Sequence, residues 1–348
     1  MNDVWRLKTR TLPLDRPVLT GIINATPDSF SDGGQFSTDV NSAFQLDLTA
    51  VLDKARQLVR DGAAILDVGG ESTRPGAEPV DEAEEIRRVV PVVKTIAQTL
   101  SVPISVDAYR PAVADAALEA GAEIVNDVSA GRYIATQNRF ADENETNFPE
   151  EMADVVRRRD AAVVLTHMRG VPKTMQVEPR YDLGVFEEVF DFLRRRRDRF
   201  VELGIEADRI ALDPGVGFGK TFEQNWELIR RAAEFSALSQ PLYFGCSRKR
   251  FLIETLRRVA DERQAVETNV PDLTSDARRF YEPLNPENAA ERDAATAATT
   301  LLLAERGVRI FRVHNVLRSA IALKIFDSLE AVETPRHVVA LSDGVSNQ

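Results

Sequence analysis

The chain has 348 residues, 43% of them apolar and 28% charged, which is enough for one barrel-sized domain or two smaller ones, with the balance of a soluble globular protein. A net charge of −11 argues against a general nucleic-acid binder, and any anionic substrate must be held by a local cationic pocket against the overall field. No apolar run approaches the roughly 20 residues of a membrane span, the first residues carry no signal-peptide core, and the single cysteine, Cys246, excludes an internal disulfide and a multi-cysteine zinc site, so a cytoplasmic location is expected.

After an N-terminal extension over 1–17, apolar runs fall at 18–24, 64–69, 104–107, 124–128, 163–167, 210–213, 242–245 and 310–314. Most are near-continuously apolar and rich in Val and Ile, as parallel strands buried on both faces should be. Amphipathic stretches at 50–61, 82–99, 111–120 and 293–306 lie between them. Repeated β-then-α units predict a single α/β domain over 18–330, a (β/α)8 TIM barrel. A doubly wound open sheet is the alternative, weakened because no G-x-G-x-x-G follows the first strand. The arginines at 194–197 sit among Phe186, Phe190, Leu193 and Val201 at helical spacing and are expected on a solvated helix face. Residues 132–149 and 261–288 break the alternation and are expected as two long, exposed loop insertions. The tail, 331–348, is polar and expected to fray.

A polar residue stands where each apolar run ends: Asn24, Asp67, Asp107, Asn126, His167, Asp213, Ser247 and His314. One such residue can simply cap a loop. On every strand of a barrel they form the wall of a pocket at the strands' carboxyl ends. The glycines of 67–76 permit close backbone approach, and Arg74 can grip an oxyanion through paired hydrogen bonds. The glycine-rich stretch 215–220 lacks the Walker spacing of a phosphate loop. His167 is open between a structural histidine and a substrate contact. Phe218 is open between core and site, Lys220 between the site and support of its loop, and Cys246 reads as an inert buried thiol.

NxTPDSFSDGG at 24–34, DVGGESTRPGA at 67–77, SVDxxRPxVAxxALxAGAxIVNDVSA at 105–130, HMRGxPxTMQ at 167–176, LDPGxGFGK at 212–220, SRK at 247–249 and RVH at 312–314 occur in one order. In these motifs the chain resembles the dihydropteroate synthases, from about 18 to about 327. The resemblance implies a transferase of folate biosynthesis. It would join 6-hydroxymethyl-7,8-dihydropterin pyrophosphate to para-aminobenzoate and release pyrophosphate. Pyrophosphate leaves the pterin's exocyclic methylene, a pterin-stabilised cation forms, and the aniline nitrogen attacks. Asp107, Asn126, Asp213 and Lys249 match the pterin-binding positions, with Phe218 near the ring. Asn24 matches the residue that helps hold Mg²⁺ beside the pyrophosphate. Arg74, Arg312 and His314, with Thr73 beside them, match the pyrophosphate positions. Phe30 and Asp32 in the first loop, and Pro75 in the second, match the segments that close over the second substrate. A homodimer is the expected assembly, with no nucleic-acid or membrane partner.

Three departures bear on the second substrate. Arg250 stands where the family usually has the serine that helps hold the aminobenzoate carboxylate. Asn315 follows His314 where aspartate is usual, and both insertions are longer than the norm. Two other readings stay open: a pterin-binding methyltransferase domain serving a corrinoid partner, which has no need of the pyrophosphate set, and a non-catalytic paralogue.

Overall fold

The structure is a computed structural model, and it describes residues 4–25, 46–71, 80–171, 175–269 and 284–331. Two short strands, β1 (Val4–Arg6) and β2 (Thr11–Pro13), pair antiparallel ahead of the first long one. The chain then lays down β3 (Val18–Asn24), β4 (Ala63–Gly69), β5 (Ile104–Asp107) and β6 (Ile124–Asp127). A small hairpin of β7 (Tyr133–Ile134) and β8 (Arg139–Phe140) follows, then β9 (Ala162–Thr166), β10 (Ile210–Asp213), β11 (Tyr243–Phe244) and β12 (Ile310–Val313). The main sheet runs β10-β9-β6-β5-β4-β3-β12-β11 with every pairing parallel. A parallel bridge between Leu212 and Leu242 joins its two ends. The predicted (β/α)8 barrel is the observed one.

The helices are α1 (Leu48–Arg60), α2 (Glu82–Thr99), α3 (Pro111–Ala120), α4 (Glu151–Arg158), α5 (Val185–Glu202), α6 (Phe222–Arg230), α7 (Arg250–Asn269), α8 (Ala289–Glu305) and α9 (Val316–Glu330). Local chemistry starts several of them. Asp47 accepts from the backbone of Thr49 and Ala50, and Thr221 forms a reciprocal capping box with Gln224. Alternation along each strand decides what is buried where. Leu66, Val68, Val106, Val125, Leu165 and Leu212 pack outward under the helices. Ile65, Ile124, Ala162, Val164, Ala211 and Ile310 point into the barrel's N-terminal half.

The residues before β3 close that half from below. Trp5, Leu7 and Leu14 pack into the same cluster and are at most 1% exposed. The Trp5 indole donates to Arg209 O at 3.0 Å, and Arg209 Nη1 donates back to Leu7 O at 3.0 Å.

Three expectations need correction. Arg196 of the arginine run is buried, with Nε on Ala130 O at 2.8 Å and its fork on Glu150 at 2.7 and 3.1 Å. A run of like charges marks a solvated face only when no carboxylate approaches from another element, and here Glu150, just past the first insertion, supplies one. That insertion is also not a bare loop. Tyr133 packs on Tyr109 with ring centroids 5.0 Å apart, and Phe140 at 5.1 Å, so two aromatics anchor the β7–β8 hairpin. The second insertion begins as helix, because α7 runs on to Asn269; residues 270–283 lie outside the described ones.

Candidate active site

The strands' carboxyl ends surround one pocket. Asp107 (β5), Asn126 (β6), Thr166 (β9), Asp213 (β10), Tyr243 (β11) and Arg312 (β12) line it, with Val128, Phe218, Gly245 and Lys249 from the segments beyond. They meet because inward-facing positions at the ends of neighbouring parallel strands lie side by side, as the partners Asp107–Asn126 and Asp213–Thr166 do. A second, shallower depression beside Arg197, Val201 and Gln240 contains none of the predicted residues.

Charge is concentrated in this pocket. The Arg312 guanidinium donates from Nε to Asp67 Oδ2 at 2.5 Å and from Nη2 to Asp107 Oδ2 at 2.6 Å. Asn126 Nδ2 reaches the same Asp67 oxygen at 3.4 Å. Burial pushes Asp107 up to about 6, against the pull of Arg312 and with the help of Asp67. Burial opposes the Arg312 charge, but Asp67 and Asp107 more than offset it, so its pKa is raised. Burial also brings Lys249 down to about 8, although Asp213 favours its charged form. Its ammonium donates to Val216 O and lies 4.0 Å from the centre of the Phe218 ring. Burial raises Asp213, while Lys249 and the Gly215 N–H, donating at 2.7 Å, favour the carboxylate.

The turn after β10 is built around two glycines. A Cβ at Gly215 (φ +67°) would fall 1.9 Å from His167 O, and one at Gly217 (φ +84°) would fall 2.6 Å from Lys249 Cδ. Lys220 ties this turn together. Its Nζ donates to Gly215 O at 2.9 Å and Phe218 O at 3.0 Å, and lies 2.9 Å from His167 Nδ1. Burial lowers the Lys220 pKa well below its ordinary value, and burial followed by Lys220 brings His167 down to about 3. His167 is thus a neutral histidine held against its loop. Glu143 of the first insertion lies 3.7 Å from its other nitrogen and accepts from Arg169 at 2.7 and 3.1 Å. Burial pushes the Cys246 thiol up to about 12, in keeping with an inert role.

Three further networks hold the rim. Ser247 Oγ lies 3.0 Å from His314 Nδ1 and accepts from His314 N at 3.2 Å. Asn315 caps α9 by accepting from Arg318 N, and its amide donates to Asp293 Oδ2 at 2.9 Å. The same Asp293 takes the Arg248 fork at 2.8 and 3.1 Å, so Asn315 serves the α8–α9 join. At the start of the second loop, Glu71 accepts from Tyr109 OH at 3.2 Å and from Arg110, which also reaches Glu85 at 2.5 Å.

Asp107, Asn126, Asp213, Phe218, Lys249 and Arg312 are therefore together in one pocket. Asn24 ends β3, half-buried, and His314 follows β12, the strand paired with β3. Arg250 opens α7 with its side chain exposed and no ion pair among the described residues. Phe30, Asp32, Thr73, Arg74 and Pro75 lie outside the described residues. Sequence reasoning placed Asp67 on the pocket wall but left Thr166 and Tyr243 out of the site. The first is masked by His167, the next residue, which reads as the polar end of its strand. The second is disguised as an apolar-strand aromatic, and only its position two residues before Gly245 places it inward.

The family model for pterin binding enzymes matches residues 20–314. A dihydropteroate synthase of Neisseria meningitidis serogroup B is 37% identical over 330 residues, covering 94% of this chain and 97% of its own. The Escherichia coli K12 dihydropteroate synthase is 35% identical over 328 residues, with 94% and 97% covered. Among solved structures, the Xanthomonas albilineans dihydropteroate synthase with 4-aminobenzoic acid superposes with a TM-score of 0.75 at 34% identity, over 96% of this chain and 100% of that one. The same enzyme in complex with 7,8-dihydropteroate gives 0.71 at 32% identity, over 95% and 100%. The chain belongs to the pterin-binding enzyme family and, within it, to the dihydropteroate synthases.

Proposed function

We propose that this chain is a working dihydropteroate synthase, a transferase that condenses 6-hydroxymethyl-7,8-dihydropterin pyrophosphate with para-aminobenzoate. The observation that carries the reading is the pocket itself: carboxylates, an amide and an ammonium converge at the barrel's C-terminal mouth, beside the Phe218 ring. A pterin ring offers donors and acceptors along one edge, and Asp107, Asn126, Asp213 and Lys249 supply their complements. The reaction breaks the bond between methylene and pyrophosphate oxygen, and forms one from that methylene to the arylamine, which loses a proton. The residues act by orienting the pterin, keeping water away from the cation and holding the departing anion. No covalent intermediate with the protein is required.

His314 stands at the rim for the leaving pyrophosphate. Arg312 has two carboxylate partners here, so to serve the anion it must loosen its hold on at least one of them. Mg²⁺ fits the reading through Asn24, a half-buried amide at a strand end. Among the described residues no three His, Cys, Asp or Glu side chains cluster as ligands. A cation that takes most of its oxygens from pyrophosphate and water does not need such a cluster. When bound, it would neutralise charge on the leaving group.

A homodimer is part of the proposal. Leu317, Ile321, Ile325 and Leu329 of α9 are 51–59% exposed and four residues apart, an apolar stripe suited to a second copy. Among the described residues no helix is long and apolar enough to cross a membrane, and we place the enzyme in the cytoplasm. The test is a coupled assay of pyrophosphate release from the pterin substrate. Release that depends on para-aminobenzoate is expected. No release, or release indifferent to para-aminobenzoate, would refute the assignment.

A further inference from the structure

Two hydroxyls in the pocket have no role in the chemistry above. Tyr243 and Thr166 are 2% and 1% exposed, and both line the pocket. Among the described residues neither hydroxyl has a hydrogen-bond partner. A buried hydroxyl without a partner weakens the fold by the full loss of its hydration, so native proteins rarely keep one without a use.

Their placement indicates the use. Thr166 is the strand partner of Asp213, so the two side chains leave neighbouring strands at one level. Tyr243 stands two residues before Gly245 on the same inward row. Its ring packs in the apolar cluster of Trp5, Ile310 and Ala211, which fixes it from the closed half of the barrel. Burial, then the Asp67 carboxylate, raises the ionisation of the phenol well above its ordinary range, with smaller effects from Arg312, Asp107 and Asp213. The hydroxyl therefore stays neutral, among the charged groups of the pocket. A neutral hydroxyl both donates and accepts, whereas carboxylates only accept and an ammonium only donates.

We propose that Tyr243 and Thr166 are additional specificity-determining residues, whose hydroxyls take their hydrogen bonds from the edge of a bound pterin. The inference rests on the pterin reading of this pocket. It has a consequence that separates it from a structural role. Tyr243→Phe and Thr166→Val each remove a hydroxyl with almost no change of shape. If the hydroxyl is unpaired in the free protein and paired in the complex, the substitution harms only the complex.

The experiment compares the unaltered chain with these two variants and with Ser319→Ala, which removes a buried hydroxyl on α9 that has no hydrogen-bond partner among the described residues. Calorimetry reads the affinity for the pterin pyrophosphate, and thermal melting reads stability. Each pocket variant is expected to bind the pterin about tenfold more weakly. Its melting midpoint should stay unchanged or rise, and the KM for para-aminobenzoate should not move. Ser319→Ala should leave pterin affinity intact. Unchanged pterin affinity in both pocket variants, or weaker binding matched by a lower melting midpoint, would overturn the inference. Failure of the unaltered protein to bind the pterin would overturn the pterin reading and this inference together.

Discussion

The barrel's two ends are built on opposite principles. At the N-terminal mouth, Trp5, Leu7 and Leu14 fill the opening with apolar surface, and the Trp5 indole has its partner in Arg209 O. At the C-terminal mouth, Asp67, Asp107, Asp213, Lys249 and Arg312 crowd together, and the Tyr243 and Thr166 hydroxyls have no hydrogen-bond partner among the described residues. One end is close to what packing alone would choose. The other keeps polar groups whose burial is costly unless a ligand completes them. Stability is thus concentrated at the closed end and recognition at the open end.

This contrast breaks if substitutions at the two ends have the same consequences. The largest effect is expected from Arg312→Ala, which should lower turnover on the order of a hundredfold or more, since it removes a preorganised charge. The steady-state rate of pyrophosphate release checks this; a rate near that of the unaltered protein would remove Arg312 from the chemistry. At the other end, Trp5→Ala should cost about 3–5 kcal/mol of stability by leaving a large cavity. Denaturant unfolding measures that loss, and kcat/KM of the folded fraction should be unchanged. Loss of kcat/KM in fully folded Trp5→Ala would show the ends to be coupled.

Asp107→Asn sharpens the contrast through pH. Asp107 has its carboxyl raised from 3.8 to about 6, so between those values the folded protein keeps a proton that the unfolded chain has lost. Its contribution to stability therefore falls as pH rises from about 4 to about 6. The asparagine variant cannot titrate there. Its stability relative to the parent should climb across that window, read from urea midpoints at several pH values, and parallel curves would contradict the raised carboxyl. The smallest effect is expected from Arg250→Ser. We take this exposed side chain at the start of α7 to clamp the aminobenzoate carboxylate, where helix N–H groups already favour an anion. The KM for para-aminobenzoate should rise by roughly three- to tenfold, as for one solvent-exposed charge-assisted contact, with the pterin KM fixed. An unmoved KM for para-aminobenzoate would leave Arg250 a surface residue.

The same division explains what could be read from sequence. The barrel strands were legible because burial on both faces forces continuous apolar runs, and because polar residues then stand out at their ends. The bounds of β3, β5 and β10 match the expected ones residue for residue. The β1–β2 and β7–β8 hairpins, with strands of two or three residues, are too short for a period to emerge. Arg312 illustrates a different limit. Its type and position were readable, but its partners lie 245 and 205 residues away, and no local pattern encodes a bond over that distance. Arg196 was misread for the same reason, since Glu150 lies 46 residues back on another element. Tyr243 escaped because nothing in an apolar run says whether a phenol finds a partner.

Recognition of a pterin through the buried polar set of the open end stands or falls at Asp213. Asp213→Asn keeps the shape and an oxygen to accept from the Gly215 N–H. It replaces a carboxylate oxygen with an amide that donates, in a pocket that also holds the Lys249 ammonium. Calorimetric titration of the variant with the pterin pyrophosphate, alongside the parent and at equal thermal stability, is the measurement. Binding weakened by about tenfold or more is predicted, because one buried hydrogen bond is reversed in sense. Equal affinity in the two folded proteins would contradict the claim.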